Sequence, residues 1–108
     1  MASIKGRQAW QRIIQAFITG TQPKASDLKI WAKSQNGWQQ KQTLNGPLKY
    51  VDKNGFTRLT LKQGSFRTPG SQNPHVELRN HKNQRIDLQG NLVSRKSVEN
   101  HTPIHWDI

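Results

Sequence analysis

Phe56-Thr57-Arg58-Leu59-Thr60-Leu61-Lys62 is the stretch on which the fold turns. Its side chains alternate. Thr57, Leu59 and Leu61 fall on one face of a strand, and Phe56, Arg58, Thr60 and Lys62 on the other. Immediately upstream, Asp52-Lys53-Asn54-Gly55 reads as a hairpin turn, with glycine where a positive φ is needed. Leu48–Val51 is therefore expected to be the strand before it, and Asn45-Gly46-Pro47 a further turn. Downstream, Gly64, Pro69, Gly70 and Pro74 mark a long loop at 64–74. His75–Arg79 alternates again, with Val76 and Leu78 inward and His75, Glu77 and Arg79 outward. Residues 80–84 and 89–91 read as turns around a short strand at 85–88 that buries Ile86 and Leu88. Residues 94–102 read as a polar loop. Residues 104–108 complete the series as a last strand, with Ile104 and Trp106 on one face.

Towards the N-terminus the period changes. Trp10, Ile13, Ile14, Phe17 and Ile18 recur at helical spacing, so residues 7–19 are expected to form a helix whose apolar stripe lies in the core. Gly20 fits its stop, and Pro23 forbids resumption. A second helix is expected at 27–35, capped by Ser26 or Asp27, with Leu28, Trp31 and Ala32 on one face and Asn36-Gly37 at its end. Neither helix buries its stripe alone. Helices first and strands afterwards mean an α+β fold: two N-terminal helices (about 7–36) packed on a four- to five-stranded antiparallel sheet (about 48–108), in a single domain spanning 1–108.

The chain has 108 residues, 17 Lys and Arg against 6 Asp and Glu, a formal charge of +11, and no cysteine. Its pI is about 10.8. Apolar residues make up 31%, and with glycine roughly 38%, below the ~45–50% of ordinary globular chains, so the core is expected to be small. No apolar run is long enough to span a membrane, and stable membrane association is not expected. The opening MASIKGRQAW is polar and does not read as a signal peptide. A charge this positive favours a polyanion or an acidic protein as partner. The basic residues form no block; they are interleaved along the strands, which indicates a folded basic face rather than a tail.

Candidate chemistry centres on histidine. His81 sits in a polar turn and is expected to be solvated. His75 shares its face with Arg79, and Arg58 and Lys62 lie on the polar face of the other strand. If the two strands pair, one face presents a histidine amid cations, an arrangement suited to phosphate. His101 precedes Thr102 just before the last strand. Two histidines and a cation suffice for metal-free RNA cleavage: one takes the 2′-hydroxyl proton, one protonates the departing 5′-oxygen, and the cation stabilises the phosphorane. Other chemistries fit less well. Zinc would need His101 and His105 with His75 or a carboxylate, and no cysteine is present. The acids are too scattered for magnesium-dependent cleavage. Ser65, Ser71 and Ser97 lack a nucleophile elbow. No metal and no cofactor are expected. A basic nucleic-acid-binding module without catalysis fits the same residues.

Several stretches carry a resemblance: YVDKNG (50–55), GSFRTPGS (64–71), PHVELR (74–79), RIDLQGN (85–91) and SRKSVENHTPIHWD (94–107). Together they resemble the C-terminal toxin modules of bacterial polymorphic toxins of the contact-dependent inhibition and Rhs type. The resemblance covers about residues 48–108, and the N-terminal helices lie outside it. Many such modules belong to the barnase–EndoU–colicin–RelE superfamily of small metal-independent RNases. In that superfamily, helices precede a four- or five-stranded antiparallel sheet.

The resemblance implies a toxic endoribonuclease that cleaves tRNA or rRNA in the cytoplasm of a target bacterium. It would be delivered as the end of a long exported parent toxin and neutralised by a small acidic immunity protein; a toxin with another target is the alternative. The matching site positions are His75, Arg79, His101 and Thr102, with Arg67, Arg95 or Lys96 as extra cations. Joined with the strand-face reading, His75 and His101 are expected as the acid–base pair, with direction open, Arg79 and Lys62 as stabilising the phosphate, and Thr102 as positioning it. Arg58, Arg67, Arg95, Lys96 and Ser97 would bind the substrate strand.

Overall fold

The computed structural model describes residues 4–64 and 73–108. Arg67, Ser65 and Ser71 lie outside the described residues. The elements are α1 (Ile4–Thr19), α2 (Ala25–Lys33), β1 (Gln39–Lys41), β2 (Leu48–Val51), β3 (Thr57–Lys62), β4 (His75–Arg79), β5 (Arg85–Ile86), a 3-10 turn (Val98–Asn100) and β6 (Thr102–Pro103). Strands β1 to β5 lie side by side in chain order, every neighbour antiparallel. β6 pairs with the first half of β4, on the edge that β5 uses further along. The architecture is α+β, two helices on an antiparallel open sheet.

The alternation expected of the strands holds. Leu48, Tyr50, Leu59, Leu61, Val76 and Leu78 are buried on one sheet face, with Leu88 and Ile104 beside them. Ile13 of α1 and Ala25, Leu28 and Ala32 of α2 cover that face. At one edge Trp10 meets Trp31 at 4.5 Å between ring centroids, and Trp31 meets Trp38 edge-on at 5.4 Å. The hairpin before β3 is built as its residues suggest: Gly55 has φ +85°, and Asp52 Oδ1 accepts the Asn54 and Phe56 amides, both at 3.0 Å.

Five expectations change. First, α1 buries Gly6, Ala9 and Ile13, whereas Phe17 is 37% and Ile18 68% exposed. Trp10–Trp31 contact and the Arg12–Asp27 pair run α1 antiparallel to α2. At ~1.5 Å per residue, a nine-residue partner is too short to cover sixteen residues of α1, so its last turn overhangs.

Second, α2 starts two residues earlier, and neither Ser26 nor Asp27 caps it. Both lie inside the first turn and make tertiary contacts instead. Asp27 Oδ1 accepts from Arg12 Nε at 2.9 Å and Nη2 at 2.8 Å, and Ser26 bonds Asp107.

Third, residues 104–108 form no strand. The tail caps α2: His105 O accepts the Ala25 amide at 2.9 Å, and Asp107 Oδ1 accepts the Ser26 amide at 2.8 Å. Two otherwise unpaired helix amides are thereby satisfied from the far end of the chain. The last strand is Thr102–Pro103.

Fourth, β5 stops at Ile86, because Asp87 Oδ1 accepts the Gln89 and Asn91 amides and bends the chain. Fifth, β1 is a strand although all three of its residues are exposed.

Among the described residues, neither α1 nor α2 packs on the second face of the sheet. Opposed residues in an antiparallel pair share a face. The register therefore sets Lys41, Lys49, Thr60, Glu77, Lys62 and His75 on it, with Arg58, Arg79 and Arg85 towards the far end of β4.

Candidate functional site

β3 and β4 pair with Lys62 opposite His75 and Thr60 opposite Glu77. This register brings a lysine, a histidine and a carboxylate together at one end of the second face. His75 is only 3% exposed. β6 runs along its open edge, with Pro103 directly opposite it, and the His101 ring stacks edge-on at 5.0 Å. The outward position expected of His75 is correct for the strand, but the expectation that it is solvent-facing is not. The chain returning from more than twenty residues downstream covers it.

Both nitrogens of His75 face acceptors. Nδ1 lies 2.9 Å from Asn73 O and Nε2 lies 3.3 Å from Glu77 Oε2. His101, half-buried, places Nδ1 3.0 Å from Ser97 O. Glu77 is the hub. Its Oε2 accepts from Lys62 Nζ at 2.6 Å as well as facing His75, and its Oε1 pairs with Arg85 Nη1 at 3.2 Å. Burial alone would raise the Glu77 carboxyl. Hydrogen bonds from His75 and Lys62, with the charges they carry, outweigh it and hold the group at about 2. Glu77 is therefore an anion throughout the physiological range, flanked by two permanent cations.

The remaining site residues divide. Arg79 shares the face but not the place: it lies four residues along β4, ~13 Å of strand, and its Nη1 bonds Asn83 Oδ1 at 3.1 Å. Arg58 lies beside it. Arg58 Nε donates to Arg79 O at 2.8 Å, Nη1 sits 3.5 Å from Asp52, and the guanidinium lies 4.9 Å from the Trp38 ring centroid. A common face does not imply a common site, because alternate residues spread along a strand. Thr102 is a clearer correction. It pairs with Val76, a core residue, and is itself buried, with its hydroxyl towards Glu99 O at 3.5 Å. It therefore points into the core rather than at the cluster. Ser97 serves through its carbonyl, while its hydroxyl turns to Ser94 O. Arg95 and Lys96 are exposed on the loop that carries His101. His81 is exposed, as expected, and so is His105, whose amide bonds Pro23 O; among the described residues His101 is grouped with His75 and Glu77 rather than with His105 as a potential ligand set.

Glu77 and Arg85 are the residues that sequence reasoning missed. Glu77 carried a signal, since it stands two residues from His75 on the same strand face. Arg85 carried none, because its approach to Glu77 depends on the length of the turn at 80–84. Among the described residues, His75, Glu77 and His101 are also a group whose donor atoms lie within 4.8 Å of one another.

A polar cleft of about 990 Å³ opens beside this cluster, walled by Lys62, His75, Gln40, Pro47, Lys29 and Trp106 among others. No helix of the described residues is long and apolar enough to cross a membrane. The sequence matches no protein-family model and no curated protein.

Proposed function

We propose that this chain is a metal-independent endoribonuclease domain of the toxic class, cutting RNA at the Lys62–His75–Glu77–His101 end of its open sheet face. The observation that carries the reading is the pair of imidazoles 5.0 Å apart, beside a lysine and an arginine on one carboxylate, on a basic surface. A phosphodiester laid on this face meets cations on the strands and proton-transfer groups at its end. One imidazole removes the proton of the 2′-hydroxyl as its oxygen attacks phosphorus. The other gives a proton to the 5′-oxygen as the P–O bond breaks, and the product is a 2′,3′-cyclic phosphate. His101, half-exposed and anchored through Nδ1, supplies one of these steps through Nε2. His75, oriented by Glu77, supplies the other. Lys62 and Arg85 stabilise charge on the phosphorane.

The resemblance of residues 48–108 to toxin modules adds the biological setting. It supports an exported parent polypeptide, action in the cytoplasm of a target bacterium, and an acidic immunity protein that covers this face. The burial of His75, with both nitrogens engaged, favours a second reading: a basic nucleic-acid-binding face in which His75 is structural. The purified chain incubated with total tRNA and rRNA in EDTA separates the two. Cleavage supports the nuclease; RNA bound but left intact supports the binding module.

A further inference from the structure

We infer that His75, Glu77 and His101 form a binding site for a transition-metal ion of the zinc class. Their donor atoms lie within 4.8 Å of one another, so modest side-chain movement closes them on one ion. Two imidazoles and a carboxylate suit zinc; magnesium and calcium prefer oxygen alone.

The surroundings orient the ligands. Each histidine directs Nδ1 at a backbone carbonyl, His75 at Asn73 O (2.9 Å) and His101 at Ser97 O (3.0 Å). Those carbonyls accept the Nδ1 proton of each ring and turn Nε2 towards the site, as outer-shell acceptors do in metal centres; at His75, Nε2 lies 3.3 Å from Glu77 Oε2, and a metal binding there releases to solvent the proton shared between them. The second oxygen of Glu77 is held by Arg85 at 3.2 Å. Three protein donors leave a fourth position for water.

A neighbouring cation competes for the site as well. The Lys62 ammonium lies 2.6 Å from Glu77 Oε2, the oxygen a metal would take. Its side chain is 43% exposed and swings to solvent on its long stem. Lys62 therefore sets the affinity by competition. Binding stands on this geometry alone. Its consequence rests on the proposed nuclease: zinc would occupy both Nε2 atoms used for proton transfer and reversibly switch off cleavage.

The test is titration calorimetry of the tag-free chain with zinc chloride in a non-coordinating buffer, with circular dichroism confirming that each variant is folded. One zinc per chain is expected. His101→Ala should weaken binding about tenfold or more. Lys62→Met should tighten it, a gain that a purely structural lysine would not produce. His81→Ala and His105→Ala should bind as the wild type. Absence of one-to-one binding, equal affinity in His101→Ala, or weaker affinity in Lys62→Met overturns the site. RNA left uncut by the metal-free chain that binds zinc as expected overturns the nuclease reading instead.

Discussion

Replacing Glu77 by Gln keeps the shape of the side chain and removes the anion at the centre of the cluster. The carboxyl is 12% exposed and is held at about 2, against an ordinary 4.5. At about 1.4 kcal/mol per pH unit, that difference corresponds to about 3 kcal/mol of folding stability at neutral pH. Because the folded value lies below the unfolded one, the contribution is complete above pH 4.5 and disappears as pH falls towards 2. In the variant, Lys62 turns to water, but the largely buried Arg85 loses its counter-charge and the buried His75 Nε2 loses its anionic partner. The expected loss is about 2–3 kcal/mol at pH 7, shrinking to about 1 kcal/mol at pH 3. Urea unfolding at the two pH values, followed by the fluorescence of the Trp10–Trp31–Trp38 group, measures it. A variant as stable as the wild type at pH 7 would refute the reasoning. So would a loss of equal size at both pH values, because the charge would then not be its cause.

His101→Ala should reduce RNA cleavage about 10²–10⁴-fold with little change in melting temperature, since the ring is half-exposed; His81→Ala, in an exposed turn, should cleave as the wild type. Thr102→Val should leave cleavage unchanged, because the side chain faces the core, and a loss of cleavage in a folded Thr102→Val would return it to the site. Ile13→Ala, at a fully buried position between α1 and the core, should cost about 2–5 kcal/mol in urea unfolding, whereas Ile18→Ala on the overhanging turn should cost little.

The parts of the fold legible in the sequence are those set by neighbouring residues. The alternation in β3 and β4 identified Leu59, Leu61, Val76 and Leu78 as core, and Asp52 to Gly55 as a hairpin turn. What was not legible depends on residues distant in the chain. β1 has no apolar period and exists through its pairing with β2. The cap of α2 comes from Asp107, eighty-one residues from Ser26. The site follows the same division. Lys62, His75 and Glu77 share a face by alternation, so the cluster was half visible. The burial of His75 and the inward turn of Thr102 depend on where β6 docks, which no local pattern encodes. Arg79 was misplaced because a shared face was read as proximity.

The central claim is that the two histidines transfer protons during metal-free RNA cleavage, and the ends of the cut RNA test it most directly. Wild-type chain and His101→Ala are incubated with total RNA in EDTA, and the new 3′ ends are mapped. The account predicts 2′,3′-cyclic phosphates from the wild type and about 10²–10⁴-fold fewer from the folded variant. RNA that stays intact with the wild type, ends bearing a 3′-hydroxyl, or cleavage by His101→Ala at the wild-type rate would contradict it.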